Sequence, residues 1–417
     1  MTGIWASLPT DGAVGARAAA VAIFAATYLA LAFGRVPLLR IDRAGIALVG
    51  GSLMVAAGAL SIAEAARAID IATLALLLGM MIVVASLRLS GFFRLAAGWA
   101  VAQARRPLAL LAAVTAASGL LSAVLLNDAI CLVMTPLVAD IMRRLDRDPV
   151  PYLLAVAMAA NIGSAATITG NPQNILIGSF SHIPYDVFAA HLAPLAAIGL
   201  VLTVAVVAVF HPGEFRRGGV LAARPRPAHV HRKLAVKSVV VVLLMIAAFV
   251  AGAAPVKVAA VGGGALLVTR MVPSHRIYRE IDWPLLVMFA GLFVVVAGFE
   301  KAVLTPQAVA AIGGAATRSD AALGIVTALL SNIVSNVPAV LVLKPFVAAA
   351  TDTPAHDWLV IAMASTFAGN LTVLGSVANL IVVQLARAQG VRIGFWQYFR
   401  VGAPLTVLTV ALGLWWL

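Results

Sequence analysis

Residues Ala157 to Ile177 read AMAANIGSAATITGNPQNILI, and 205 residues later the chain reads AMASTFAGNLTVLGSVANLIV, from Ala362 to Val382. The match pairs Thr167 with Thr372, Gly170 with Gly375 and Asn174 with Asn379. Other pairs keep the same order at nearly the same shift. LLSAVLLNDAICLVMTP (Leu120 to Pro136) returns as LLSNIVSNVPAVLVLKP (Leu329 to Pro345), which sets Asn127 on Asn336 and Pro136 on Pro345. Gly50, Gly51, Asp70 and Gly79 return as Gly262, Gly263, Asp282 and Gly291, and Pro194-Leu195 as Pro404-Leu405. Matches among Ala, Val and Leu carry little weight, but Asn, Gly, Pro, Thr and Asp do not recur in register without a duplicated unit.

The duplicated unit belongs in lipid. Of 417 residues, 63% are hydrophobic and 11% charged, with a mean hydropathy of +1.05, and apolar runs long enough to cross a bilayer recur from end to end. The first of these follows no cleavage-like pattern and is expected to stay in the protein. Each half reads as three spans, a Leu-rich segment interrupted at Asn127 or Asn336, a span broken by a Gly/Thr/Asn stretch, and a final span. If the interrupted segment turns back as a re-entrant hairpin, each half crosses five times. An odd count inverts the second half relative to the first.

The expected fold class is therefore an all-α polytopic membrane protein of two inverted repeats, each with five spans plus one re-entrant hairpin, and one span per repeat broken at the midplane. The first repeat covers 1–215, with its hairpin at about 107–143 and its broken span at about 152–180. A basic linker covers 216–237. The second repeat covers 238–417, with hairpin and broken span at about 320–350 and 357–387.

Charge placement supports this topology. The net charge of +13 could suggest nucleic acid, but the cations sit in short loops rather than along a helix face with interleaved aromatics, so no nucleic-acid partner is expected. With hairpins in place, 23 of the 29 Lys and Arg residues fall in cytoplasmic loops, as positive-inside insertion requires. A full span in place of the first hairpin would put Arg143, Arg144 and Arg147 outside. The expected location is the inner membrane, multi-pass, with both termini in the periplasm. Trp396, Tyr398, Trp415 and Trp416 flank the last span as interface anchors.

Polar groups at membrane depth survive only when buried in protein or lining a cavity. Four such places are expected to converge. At the tips, Asn127-Asp128 and Ser335-Asn336 precede apolar arms, and each asparagine is placed to cap the arm that follows. In the breaks, Gly163 to Asn174 and Gly369 to Asn379 combine helix breakers with hydroxyls and amides, and Asn171-Pro172 reads as a cap and a restart. Half-helix N-termini would favour an anion or an oxygen-rich solute, and unwound carbonyls a cation. The candidate substrate residues are Asn127, Asp128, Thr167, Thr169, Asn171 and Asn174, with Asn336, Asn370, Thr372, Ser376 and Asn379 from the second half. The candidate coupling-ion residues are Asn127, Asp128, Gly163, Ser164, Ser335, Asn336 and Lys344. Asp70, Asp282 and Glu300 read as charges at span ends.

These residues resemble the ion transporter superfamily, which includes arsenite-efflux permeases, NhaD-type sodium/proton antiporters, citrate carriers and divalent anion:sodium symporters. NDAICLVMTP is similar to the tip element of the arsenite permeases, LLSNIVSNVPAVLV to their Asn-x-Pro hairpin, and QYFRVG (Gln397 to Gly402) to their last span. The carboxylate-free NIGSAATITGNPQN looks more like the anion-carrier branch. The resemblance implies secondary transport of a small inorganic or organic anion, coupled to H+ or Na+, with arsenite or antimonite efflux as the leading case. Dicarboxylate or citrate transport and sodium/proton antiport are the alternatives. It leaves open a homodimer and, for the arsenite type, a cytoplasmic ATPase subunit.

No cofactor, metal or catalytic residue is expected. The sequence has no Ser/His, paired-Asp or His-x-x-x-His constellation for an intramembrane enzyme, and no GxxxxGK[ST] loop for ATP. A channel is the other reading from a different class. Cys131 stands alone in an apolar run, which excludes an intramolecular disulfide.

Overall fold

The structure is a computed structural model that describes residues 11–33, 41–103, 106–216, 230–268, 271–303, 319–350 and 354–417. Arg217, Arg224 and Arg226 of the expected linker lie outside these residues, as do Arg35, Arg40, Arg105, Arg270 and Arg318 among the cations that were assigned to loops. Among the described residues every regular element is a helix, and seven helices are long and apolar enough to cross a membrane.

The helical order of the first half is α1 (Asp11–Phe33), α2 (Arg43–Ala56), α3 (Ile62–Ala68), α4 (Ile71–Ser90), α5 (Phe92–Gln103), the hairpin arms α6 (Pro107–Val124) and α7 (Asn127–Arg144), the broken span α8 (Pro149–Ser164) and α9 (Pro172–Ser181), α10 (Tyr185–Phe210) and the short α11 (Pro212–Phe215). The second half follows with α12 (Arg232–Val250), α13 (Pro255–Leu267), α14 (Ser274–Arg279), α15 (Trp283–Val303), the arms α16 (Asp320–Val334) and α17 (Asn336–Ala350), the broken span α18 (Pro354–Ala368) and α19 (Val377–Ala388), and α20 (Phe395–Trp416). Helix α12 starts inside the segment read as linker.

Short polar residues set the helix starts. Asp42 accepts from the Gly45 N–H at 2.8 Å, Asp148 from Val150 at 3.0 Å and Asn171 from Asn174 at 2.8 Å, each satisfying an amide that the first turn leaves unpaired. Asp70 and Asp282, 212 residues apart, do the same for α4 and α15: Asp70 takes the Thr73 N–H at 3.1 Å and Asp282 the Leu285 N–H at 3.1 Å. Partial burial pushes the Asp282 carboxyl upward.

The described chain divides into two compact units, and each draws on both repeats. The first holds residues 1–74, 282–318 and 341–352. Its centre is the packing of α2 on α15, where a Cβ at Gly291 would come within 2.5 Å of the Ala47 backbone. Phe24 of α1 stacks on Phe299 of α15 at 4.1 Å. A capping box joins Ser61 and Glu64 at the start of α3, and Lys301 reaches Glu64 at 2.7 Å. That hydrogen bond holds the Glu64 carboxyl down at about 2.

The second unit holds 75–281, 319–340 and 353–417. Here Gly79 of α4 meets Ala259 of α13, a Cβ at Gly79 falling 2.5 Å from the Ala259 carbonyl oxygen. This is the Ala47–Gly291 contact with both numbers moved by 212, so the repeat extends to packing. Further pairs follow the same rule: α6 lies along α8, and α16 along α18. Helices α8 and α18 are buried on nearly every face. Of the four expected anchors, Trp396, Trp415 and Trp416 are exposed, whereas Tyr398 is buried at 1% exposure. Tyr398 stands one turn into α20, on the face turned toward the protein, and is core rather than anchor.

Candidate substrate and ion site

The hairpin tips end at the breaks. The chain turns at Leu125-Leu126, and the Asn127 N–H donates to the Gly170 carbonyl at 3.0 Å. Both outgoing arms are tethered by a serine one turn before the tip: Ser122 Oγ donates to the Ala160 carbonyl at 2.6 Å and Ser331 Oγ to the Ser365 carbonyl at 3.0 Å. Ser335 makes the second turn with φ of 78°, in the left-handed region that costs a non-glycine residue conformational energy.

The tip asparagines do not cap. Helix α7 begins at Asn127 itself, with Leu126 at the cap position and no side-chain cap bond, because the Asn127 amide is drawn sideways to donate to Asn161 Oδ1 at 3.2 Å. Asn336 is likewise turned into the protein. Its amide nitrogen donates to the Gly375 carbonyl at 3.0 Å, and its Oδ1 accepts from Gln173 Nε2 at 2.9 Å.

Matching asparagines hold the two breaks. Helix α8 stops at Ser164 and α9 restarts at Pro172; α18 stops at Ala368 and α19 restarts at Val377, where Ser376 Oγ accepts from the Ala378 N–H at 3.3 Å. Asn174 Nδ2 donates to the carbonyls of Ser164 at 3.2 Å and Thr167 at 3.0 Å. Asn379 Nδ2 donates to Gly369 at 2.7 Å and Thr372 at 2.9 Å. All three residues of the second set are the first set moved by 205. Unwound carbonyls away from water need such donors.

The breaks are then tied across the repeats by residues that sequence reasoning missed. Asn161, with no exposed surface, donates to Asn370 Oδ1 and Asn379 Oδ1, both at 2.9 Å, and its oxygen accepts from Ser376 Oγ at 3.0 Å as well as from Asn127. Its counterpart Thr366 accepts from Gln173 Nε2 at 3.3 Å and Asn171 Nδ2 at 3.4 Å. Ser164 closes the circuit, donating to the Asn161 carbonyl at 2.7 Å and accepting from Asn171 Nδ2 at 2.9 Å. A continuous chain of hydrogen bonds therefore links Asn127 to Asn336 through Asn161, Ser164, Asn171, Thr366 and Gln173. An asparagine inside an apolar helix was the available signal.

The remaining candidates take different places. Thr167 donates to the Ala123 carbonyl at 2.5 Å, and Thr169 meets the Tyr185 hydroxyl at 3.1 Å, so both pin the first break to its surroundings. Asn370 also donates to the Met158 carbonyl at 3.3 Å. Thr372 is half-buried and enters through its carbonyl. Gly163 is a packing position, its α-carbon pressed on the backbone of Gly119. Asp128 stands half-buried in the first turn of α7, where its charge reaches Cys131. Lys344 belongs to the first unit, within electrostatic reach of Glu300, whereas every other candidate belongs to the second. Among the described residues of the tips and breaks, Asp128 is the one charged side chain.

Paired hairpins and broken spans around a buried amide network define a membrane transporter. The citrate transporter family profile matches residues 28–368, and the chain belongs to that family. It is 33% identical over 423 residues to an uncharacterized transporter of Mycobacterium bovis, covering 94% of this chain and 96% of the relative. It is 30% identical over 463 residues to the silicon efflux transporter LSI3 of Oryza sativa, covering 94% and 95%. A putative transporter arsB of Dictyostelium discoideum is 23% identical, covering 90% and 87%. Among solved structures, the YdaH transporter of Alcanivorax borkumensis shares the fold with a TM-score of 0.59 at 14% identity over 98% of both chains.

Proposed function

We propose that this protein is a secondary active transporter for a small oxyacid, carried as its anion or as the neutral acid and coupled to a proton or sodium gradient, with arsenite-type efflux as the leading case. The observation behind this reading is a lining of neutral polar groups in which Asp128 is the one charged side chain. Amides, hydroxyls and backbone groups offer donors and acceptors to a compact solute bearing several hydroxyls, while among the described residues of the tips and breaks no cationic side chain stands to offset a polyvalent anion away from water. The relationship to a silicon efflux transporter and to a putative arsB transporter supports the same class. The family's name favours a second reading, transport of citrate or another carboxylate.

Expression in a bacterial strain lacking its own arsenite pump should raise resistance to arsenite or antimonite, and proteoliposomes holding the protein should not accumulate labelled citrate or succinate. Unchanged resistance together with citrate uptake would move the assignment to the second reading.

The cation pattern supports an inner-membrane placement with both termini in the periplasm. An alkaline phosphatase fused after Leu417 should then be active and a green fluorescent protein dark; the opposite pair of signals would reverse the topology.

A further inference from the structure

Two direct bonds gather cations at the end of α4. The carbonyl of Ser90, its last residue, accepts from the His231 N–H at 3.0 Å, which brings the first turn of α12 against the turn between α4 and α5. Two residues earlier Arg88 pairs with Glu280 at 2.5 Å, which brings in the end of α14. Gly91 makes the turn with φ of 81°, so α5 starts at once and carries Arg94 in its first turn. The junction thereby collects Arg94 of α5, Arg232 and Lys233 of α12, and Arg276 and Arg279 of α14, all exposed and all in one compact unit.

The protein does not balance this charge. Glu280 is taken by Arg88, and among the described residues none of the five collected cations has an acidic side chain in ion-pair reach. The sequence from Arg216 to Lys237, which leads into α12, holds seven Lys or Arg and no Asp or Glu. Positive-inside insertion accounts for cations on this side of the membrane. It does not require tertiary bonds that draw them to one place, where like charges repel unless an anion is supplied.

The surroundings point to the kind of anion. Two candidate spans end at the junction, Ile71–Ser90 and Arg232–Val250. Leu95 beside Arg94, Val236 one turn on from Arg232, and Tyr278 between Arg276 and Arg279 are all exposed. The cations therefore lie where a lipid-facing apolar surface begins, at the level of the phosphates of a bilayer, with room for acyl chains along the helices.

We infer that the junction of α4, α12 and α14 binds the headgroup of an anionic phospholipid, and that a lipid with two phosphates, such as cardiolipin, is held more tightly than one with a single phosphate. Five cations exceed what one phosphate neutralises, and arginine forks suit phosphate oxygens. The bound lipid relieves the repulsion and ties the three helices together. This inference is independent of the solute carried.

The test is native mass spectrometry of the full chain titrated with cardiolipin, phosphatidylglycerol and phosphatidylcholine. One cardiolipin per chain should be retained where phosphatidylcholine is lost, with phosphatidylglycerol between them. Arg94→Gln/Arg232→Gln/Lys233→Gln should weaken cardiolipin binding on the order of tenfold or more. Arg387→Gln/Arg392→Gln/Arg400→Gln, which removes the same charge around the turn between α19 and α20, should change it by no more than about twofold. All of these side chains are exposed, so the variants keep their packing. Thermal unfolding is the second readout: cardiolipin should raise the midpoint of the wild type and of the α19–α20 variant, but not of the junction variant. Equal retention of phosphatidylcholine, equal weakening by the two variants, or displacement of cardiolipin by inorganic phosphate or soluble polyglutamate at matched charge would overturn the inference.

Discussion

Asn161→Leu should reduce transport by about 100-fold while the protein still reaches the membrane. Leucine matches asparagine in shape but offers none of its four hydrogen bonds, and it leaves Asn370 Oδ1, Asn379 Oδ1, Asn127 Nδ2 and Ser376 Oγ facing a methyl surface. A single interhelical hydrogen bond in a membrane protein contributes only about 0.6 kcal/mol on average. Stranding several buried polar groups costs more, at about 1–3 kcal/mol for each group that finds no other partner. A net loss near 3 kcal/mol in the aligned state corresponds to about 100-fold.

Asn161→Asp separates position from shape. Its carboxylate can still accept from Asn127 and Ser376, but its second oxygen meets the oxygens of Asn370 and Asn379. Those two amides cannot turn without releasing the carbonyls of Met158, Gly369 and Thr372. Burial and the facing oxygens both disfavour the charged form, which raises the acid's pKa. Protonation restores one donor, so this variant should gain activity as pH falls, with no such gain in Asn161→Leu. Solute flux into proteoliposomes across a pH series, normalised to folded protein by size-exclusion fluorescence, measures both. Wild-type flux from Asn161→Leu would remove Asn161 from the mechanism.

Asn161 also marks the boundary of what the sequence could disclose. Elements that repeat in place left identity pairs in the sequence, and the structure supplies their bonds: Asn174 and Asn379, Ser122 and Ser331, and Asp70 and Asp282 each make in one half the bond their partner makes in the other. The crossing connections left none. Asn161 faces Thr366 in the repeat and Gln173 faces Ala378, so neither forms an identity pair. Their partners lie on the opposite repeat, a tertiary fact that local pattern does not carry.

The tip asparagines were misread for a related reason. Asparagine is a strong helix cap when nothing else wants its amide, and here Asn161 and Gln173 do. Lys344 stands eight residues past Asn336, about 12 Å along a helix. Nothing in the sequence marks the passage from the second unit to the first between Val340 and Leu341.

Gly163→Ala should carry the largest cost in stability of any methyl added to the described helices. Helices α6 and α8 touch backbone to backbone at this point, and a Cβ on Gly163 would overlap the Gly119 carbonyl oxygen and stand 2.5 Å from the Gly119 α-carbon. Neither atom belongs to a side chain that could swing away. The arm bearing the first tip would have to move outward, stretching the Ser122 to Ala160 tether one turn along, so the expected loss lies at or above the upper end of the overpacking range, about 3 kcal/mol.

Helix propensity alone predicts the opposite sign, since alanine is favoured over glycine inside a helix by about 1 kcal/mol. Gly264→Ala isolates that term: Gly264 also lies inside a helix, α13, but a Cβ there would meet nothing within 4 Å. Thermal unfolding in detergent should therefore show a raised or unchanged midpoint for Gly264→Ala and a sharply lowered one for Gly163→Ala. Equal midpoints for the two variants would mean that α6 and α8 do not pack this closely, and the alignment of the first tip with the first break would fall with that contact.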